Sequence, residues 1–579
     1  MGLLSTAFWA VASPIVLFLA YTYLSLLWNY IVALQIGVPV RAIPIEQTNP
    51  FWMIMDKKVL AFLKRYLPFL RGSSFARFNW RGFEIVERYK PHHELGDVYM
   101  VSTPGKNWLY LGDPDLVTEM FKRRNDFPRC SKLTGKFEKS WMSSRVDANR
   151  GFAESLNVFG TNLGTVDAAE WKRQRKIIAT CFTEQTNAFV WSDAVTRARD
   201  MHRYWTSKPS LTTAADDLRT LSLGIMSEVG FGQSSKFQGH GERLGASGTS
   251  TTSYKDTLQE ILENCVLIMA LGPEVLAKLE RWLPKKLKKL QHACVVFQSH
   301  MTKMYEETKA KVSNRTSSQT SADSRNFLTS LVQASHGMTS EGLTEKQVYG
   351  NMFMLAFAGH DTVAHTFTFA MLFLAGSPDV QDWISEEVRA VLEDRDTKDL
   401  DYEKDFPRLH RCLAVMCETI RLYSPVALAK WTDSAAQTLQ VGQKAIVIPA
   451  NTMVIPSYSC LHTDPRWWGE DSLTWRPSRW IRKSGPKGEE ELITPRKGTF
   501  LGWSEGVRDC PGRKFSKVEF VATIATLFKD WKVDPVPLDG ENLTQARKRV
   551  LEFIVEDAAP VLLLQMNHPE RVPLVWKKR

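Results

Sequence analysis

The chain has 579 residues, 44% hydrophobic and 24% charged, which is ordinary globular composition with length enough for a large core. A net charge of +11 is compatible with anionic lipid, an acidic partner protein or nucleic acid; with the basic residues spread out and no nucleic-acid motif in view, no nucleic-acid partner is expected. The eight cysteines, at positions 130, 181, 265, 294, 412, 417, 460 and 510, show neither disulfide nor zinc spacing.

Residues 1–40 carry no charged side chain, and Phe8 to Trp28 is almost wholly apolar. About 20 such residues cross a bilayer as a helix. Pro14 can kink that helix without excluding it. A cleaved signal peptide would need a basic start, a shorter apolar run and a small-residue cleavage site. The segment is therefore read as a retained anchor, with Trp28 and Tyr30 suited to the interface. Pro39, Arg41 and Pro44 then suggest a stiff linker. Lys57, Lys58, Lys64 and Arg65 follow the anchor, so the positive-inside rule puts the body, residues 41–579, in the cytosol. The sequons at Asn314 and Asn542 would be unused there.

Between about 165 and 425 the chain reads as mostly helical. Trp171-Lys172-Arg173-Gln174-Arg175 places Trp171 and Arg175 on one helix face. Arginine is a natural bidentate partner for a carboxylate; a solvated basic face is the plainer alternative. Gln233 to Ser253 and Ser313 to Arg325 read as surface loops. Between them Tyr254 to Val312 has helical periodicity, broken near Gly272-Pro273 and Pro284.

A long apolar helix is expected from about Thr344 to Ala375, ended by Pro378. It contains Ala358-Gly359-His360-Asp361-Thr362. An acid and an alcohol in such a helix are costly unless they face water or a ligand. Thr362 can bend the helix by bonding back one turn, eased by Gly359. Glu418-Thr419-Ile420-Arg421 sets carboxylate and guanidinium on one face, and Trp475-Arg476-Pro477-Ser478-Arg479-Trp480 follows. Residues 430–460 suggest short strands. His462-Thr463-Asp464-Pro465 reads as a turn, with His462 capping the next segment rather than holding a metal. No GxGxxG follows a strand, so no nucleotide module is expected.

Trp503-Ser504-Glu505-Gly506-Val507-Arg508-Asp509-Cys510-Pro511-Gly512 carries most of the information. Gly506 and Gly512 flank Cys510 in a tight loop and let a flat ligand approach the sulfur. Arg508 can stabilise a thiolate or neutralise a carboxylate. A thiolate held in this way can ligate haem iron and favour O–O cleavage.

This run, and the other motifs in the same order from Trp171 to Gly512, resemble the cytochrome P450 family. The chain is similar to membrane-bound members from filamentous fungi, many of which act in secondary metabolism. It departs from the family in Trp503, where most members have Phe, and in Ser478, where a Glu is usual. The resemblance implies a mainly α fold with small β-sheets, as one catalytic domain behind the anchor, in the endoplasmic reticulum membrane. It implies haem b with Cys510 as axial thiolate, Trp171 and Arg175 at the propionates, and Lys430 and Arg508 as further candidates. Asp361 and Thr362 would deliver protons. Glu418, Arg421 and Arg479 would form a buried structural triad. Electrons would come from an NADPH-dependent reductase, docking on a basic surface of Lys172, Arg173, Lys176, Arg513, Lys514 and Lys517.

The implied reaction inserts one atom of O2 into a lipophilic small molecule. The implied substrate segments are Ser143 to Leu163, Tyr254 to Leu271, the helix face around Met352, Met354 and Leu355, Val426 to Ala429, and Asp557 to Ala559. A haem-thiolate isomerase or dehydratase that needs no reductase, and a membrane-anchored haem sensor, are the alternatives; the acid–alcohol pair favours oxygen activation.

Overall fold

A computed structural model describes residues 2–579 except 48, 71, 81, 130–155, 235, 241–253, 265–266, 269–270, 315–325, 337–341, 433 and 485–487. The implied segment Ser143 to Leu163 therefore lies outside the described residues up to 155, as does most of the two loops expected at 233–253 and 313–325. The chain divides into two compact units. One comprises Met1–Ala153, Ala427–Ser472 and Arg496–Arg508; the other comprises Glu154–Val426, Leu473–Pro495 and Asp509–Arg579.

The first unit is built on a five-stranded sheet. In spatial order its strands are Val40–Ala42, Val98–Ser102, Asn107–Leu111, Met453–Pro456 and Lys430–Trp431. Val98–Ser102 and Asn107–Leu111 form an antiparallel hairpin that pairs Tyr99 with Tyr110 and Met100 with Leu109. Alternate residues of a strand point to opposite faces, so the two registers feed two cores. Met100, Leu109, Leu111 and Val454 pack with Leu116, Met120, Phe127 and Leu501. Tyr99, Val101, Trp108 and Tyr110 pack with Phe78, Phe83 and Trp431.

The helix Gly2–Leu34 leads into this unit. Its Val16–Leu34 stretch has mean hydropathy 1.6 and is only 6% buried, so it is long and apolar enough to cross a membrane. Its end is tied to the sheet: Asn29 Nδ2 donates to the Thr103 carbonyl at 2.9 Å. The stiff linker expected next is not there. Val40–Ala42 is a strand parallel to Val98–Ser102, and Pro50–Tyr66 is a helix that holds the four basic residues. Pro39 and Pro44 flank that strand, and a proline outside the ladder costs no hydrogen bond there.

The second unit is mainly helical, with small antiparallel pairs at Ile481–Ser484 with Glu489–Leu492, Trp531–Pro535 with Leu574–Lys578, and Ala558–Pro560 with Leu564–Met566. Its axis is the helix Glu345–Gly376. Thr344 caps the start reciprocally: its hydroxyl accepts from the Gln347 amide, and the Gln347 side chain accepts from the Thr344 amide at 3.0 Å. Pro378 ends the long helix as expected and also opens the next one, Pro378–Leu392, where its missing N–H costs nothing. The breaks at Gly272-Pro273 and Pro284 fall between the helices Tyr254–Glu263, Pro273–Lys278 and Lys285–Ser313.

The helix Arg513–Phe528, which follows the cysteine run, packs on the long helix through Phe520 and Phe367, stacked at 4.8 Å between centroids. It also buries Glu519 completely. Burial, with repulsion from Asp193, pushes that carboxyl from 4.5 to about 8. A raised folded value means that folding retains a proton which the unfolded chain releases. The stabilisation is full below pH 4.5 and declines as pH rises to about 8. The loss across that window is at most about 5 kcal/mol. Glu519→Gln should flatten it, read as the thermal midpoint of variant and parent from pH 5 to 8.

Candidate active site

Of the six described cysteines, Cys510 alone is exposed. Burial pushes the Cys417 thiol up to about 11 and those of Cys181 and Cys294 up to about 12. These are inert core groups, and Cys510 is the accessible sulfur. Two backbone features shape its run. Gly506 has φ +76, which a side chain would strain. A Cβ on Gly512 would lie 3.6 Å from the Phe182 ring and 3.9 Å from the Cys510 sulfur, so a larger residue there would cover the thiol.

The run passes from one unit to the other between Arg508 and Asp509. In the first unit Arg508 is 7% exposed, and its carbonyl accepts from Arg129 Nη2 at 3.2 Å. Lys430 is 1% exposed, with its ammonium 5.5 Å from the Phe121 ring centre. Trp503 is buried beside Phe500. His462 does not cap the segment after it. Its Nε2 accepts from the Leu501 amide at 2.8 Å, and the cap of Pro465–Trp468 is Asp464, whose carboxylate has the right reach.

In the second unit, Trp171 and Arg175 lie on the helix Ala168–Ala179. Trp171 is buried. Arg175 gives Nη1 to the Asp509 carbonyl and Nη2 to the Asp509 carboxylate, both at 2.9 Å. The helix is anchored to the long one by Asn351 Nδ2 to Gln174 Oε1 at 3.0 Å and Gln347 Nε2 to Glu170 Oε1 at 2.8 Å. The expected basic surface is smaller than its sequence suggests. Lys514, though exposed, is bound to Glu184 at 2.7 Å, Arg173 is bound to Glu170 at 2.6 Å, and Lys517 is half-buried, its ammonium lowered by burial. Lys172, Lys176 and Arg513 are exposed.

From Val348 to Ala375 the long helix is buried except at Ala358, Gly359 and Thr362. The face expected to meet substrate, around Met352, Met354 and Leu355, is itself buried. The opening lies one turn further on, where Ala358 and Gly359 have no bulk to fill it. Thr362 Oγ1 donates to the Ala358 carbonyl at 2.8 Å, bonding back one turn. Gly359 also serves packing, since a Cβ would approach Met226 Sδ to 2.7 Å.

Asp361 is turned to another side of the helix. Its Oδ1 is 3.3 Å from Arg219 Nη2 and 3.5 Å from His365 Nε2, and those two nitrogens are 3.5 Å apart. Burial works to raise this carboxyl, but His365, Arg219 and His360 outweigh it and hold it well below the usual carboxylate range. Sequence reasoning missed both partners. His365 was readable at i+4; Arg219, on the helix Ala214–Phe231, had no local signal.

Glu418 is in contact with both Arg421 and Arg479. Arg421 is bidentate on Glu418 at 2.7 and 2.9 Å, and Arg479 Nε donates to Glu418 Oε1 at 2.8 Å. Two donors were not foreseen: the Arg476 amide and the Trp480 indole, each 2.9 Å from a Glu418 oxygen.

A family model for cytochrome P450 matches residues 81–556. The chain belongs to the cytochrome P450 family. Among its relatives is the phomenoic acid biosynthesis cluster cytochrome P450 monooxygenase of Leptosphaeria maculans, 27% identical over 89% of this chain and 90% of the relative. A cytochrome P450 monooxygenase of Arthrobotrys oligospora is 25% identical over 94% of both chains. Cytochrome P450 monooxygenase 124 of Postia placenta is 27% identical over 90% of this chain and 98% of its own length. This P450 is thus an oxidoreductase of the monooxygenase kind, and membership implies a haem-thiolate cofactor. The residues present fit that group: an exposed thiol beside a glycine, and a long buried helix left open at a three-residue window.

Proposed function

We propose that this P450 is a membrane-anchored haem-thiolate monooxygenase that inserts one oxygen atom from O2 into a lipophilic small molecule of fungal secondary metabolism, with electrons from NADPH-cytochrome P450 reductase at the endoplasmic reticulum. The relatives' names support the pathway class, one of them being that of a biosynthetic-cluster enzyme. The apolar Val16–Leu34 helix supports an anchor within residues 1–40, ahead of a catalytic body at 41–579. The observation that carries the reading is that Cys510 alone among the described cysteines is exposed, in a chain whose long helix, buried from Val348 to Ala375, is open only at Ala358, Gly359 and Thr362.

Cys510 would hold the haem through its thiolate, with Gly506 and Gly512 keeping the approach to it clear. Trp171, Arg175, Lys430 and Arg508 would hold the propionates. When bound, the haem supplies iron for reductive activation of O2. The protein's part is to deliver protons and exclude water. Thr362 offers a hydroxyl at the open window. Asp361 is held ionised by Arg219 and His365 and offers its carboxylate as a hydrogen-bond acceptor. His365 Nε2 faces an acceptor, Asp361, and a donor, Arg219, at equal distance. With hydrogen on Nε2 the ring donates to the carboxylate; without it, the ring accepts from Arg219 and leaves Asp361 to the guanidinium alone. Arg219, a quarter exposed, carries this set toward solvent.

The reading is tested by the ferrous–CO difference spectrum of the purified chain in detergent, where a strongly red-shifted Soret band is expected. A band in the ordinary histidine-haem position, in folded protein, refutes it. Thr362→Ala should keep that band yet divert most reductase-supplied NADPH to hydrogen peroxide. Loss of one proton donor costs about a hundredfold in such steps, enough for uncoupling to dominate. Peroxide per NADPH consumed is the measure, and unchanged coupling removes the role given to Thr362.

A further inference from the structure

Asn351 lies fully buried on the long helix Glu345–Gly376, and its side-chain amide meets three elements of the second unit. Its oxygen accepts from the Leu163 amide at 3.0 Å, in the segment just ahead of the helix Ala168–Ala179. Its Nδ2 donates to Gln174 Oε1 on that helix at 3.0 Å and to the Gln347 carbonyl of its own helix at 2.8 Å. Gln174, also fully buried, donates its Nε2 onward to Glu170 Oε1 at 2.8 Å. Gly350 lets the incoming segment close on the long helix, since a Cβ there would collide with the Gly160 and Thr161 carbonyls.

The helix gripped in this way is the one that carries Trp171 and Arg175. Arg175 in turn holds the carbonyl and the carboxylate of Asp509, the residue before Cys510. Apolar packing alone lets two helices slide against each other at little cost, whereas directional bonds between buried amides fix one arrangement. Both donors and the acceptor of Asn351 are engaged. The reversed amide would set N–H against N–H at Leu163 and oxygen against oxygen at Gln347. Asn351 also stands seven residues, two turns, before Ala358, so the two share one face of the long helix. Arg175 and the open part of the long helix are therefore referenced to the same point.

We propose that Asn351 is a positioning residue for the monooxygenase site: through Gln174 it holds the helix Ala168–Ala179, and with it the Arg175 charge beside Asp509, in place against the open part of the long helix. The inference rests on the haem-thiolate reading above, and it predicts an effect on the bound iron without contact to it. A guanidinium near the iron ligand stabilises the reduced state, which carries one more negative charge. Displacing it makes the reduction potential more negative.

The test is the iron(III)/iron(II) potential of the full haem-loaded chain in detergent, titrated with dithionite in the presence of mediator dyes, beside its urea midpoint. Asn351→Leu keeps the size of the side chain and removes all three bonds. We expect a more negative potential and a lower midpoint, since Gln174 Oε1 and the Leu163 amide lose their partner. Adding Gln174→Met removes the stranded oxygen, so part of the midpoint should return while the potential stays shifted. Val550→Ala serves as control. It lies buried on the helix Leu543–Asp557, packed at the far end of the long helix by Gly376, and destabilises by leaving a cavity. Its potential should equal the parent's. An unchanged potential in Asn351→Leu overturns the proposal. So does a potential that recovers with the midpoint in the double variant, or one that moves as far in Val550→Ala. If Asn351→Leu yields no haem-loaded protein, Gln174→Met alone decides: a more negative potential supports the proposal and an unchanged one overturns it. A parent without the red-shifted ferrous–CO band overturns the haem-thiolate reading and this inference with it. A parent with that band, whose variants keep its potential, overturns this inference alone.

Discussion

Cys510→Ala is expected to abolish the red-shifted ferrous–CO band and the proposed reductase-supported turnover, while the far-UV circular dichroism should stay that of the parent. The side chain is exposed, so shortening it opens no cavity in the core. The other described cysteines cannot substitute, because burial keeps them protonated: Cys417 is pushed up to about 11, and Cys181 and Cys294 to about 12. The effect is therefore complete in the spectrum and small in the fold. Cys510→Ser separates the size of the group from its softness: it preserves the shape but offers a hard oxygen to the iron, and the band should be lost in it as well. Retention of the thiolate band in either variant would assign the ligand elsewhere.

Glu418→Ala should be the most destabilising single change in the second unit. The carboxylate is fully buried and accepts from Arg421, Arg479, the Arg476 amide and the Trp480 indole. Its removal takes this carboxylate from two guanidinium groups, one of them on a side chain with no exposure at all, and the neutral Thr474 carbonyl that also accepts from both does not replace its charge. Breaking a buried pair from one side costs about 3–5 kcal/mol, against a total stability of about 5–15 kcal/mol for a typical domain. We expect little haem-loaded protein, and a urea midpoint well below that of the parent. Glu418→Gln should fall between the two, because the amide keeps an oxygen for one arginine and presents an NH2 group to the other. A midpoint equal to the parent's in Glu418→Ala would show that the cluster contributes geometry without stability.

Much of the site could be read from local pattern. The i, i+3 spacing of Glu418 and Arg421 and the back-bonding of Thr362 follow from helix geometry alone. So does the start of the long helix at Thr344, where the capping pair Thr344 and Gln347 sits three residues apart. The breaks at Gly272-Pro273 and Pro284 were legible because those residues limit backbone conformation wherever they occur. The region after the apolar N-terminus was misread as a linker, because a three-residue strand such as Val40–Ala42 is defined by the partner strand it pairs with, some sixty positions later.

The sequence by itself determined the anchor candidate, the helical class, the identity of the sulfur and the order of the motifs, since each is a property of a residue type or of neighbours within about one helical turn. Only the tertiary structure decided which groups surround Asp361, which lysines remain exposed, and where the long helix opens. Arg219 reaches Asp361 across 142 positions of sequence, Glu184 pairs with the exposed Lys514, and Ala358, Gly359 and Thr362 interrupt the burial of the long helix. Charge pairing and burial depend on distance in space, and spacing along the chain does not fix that distance.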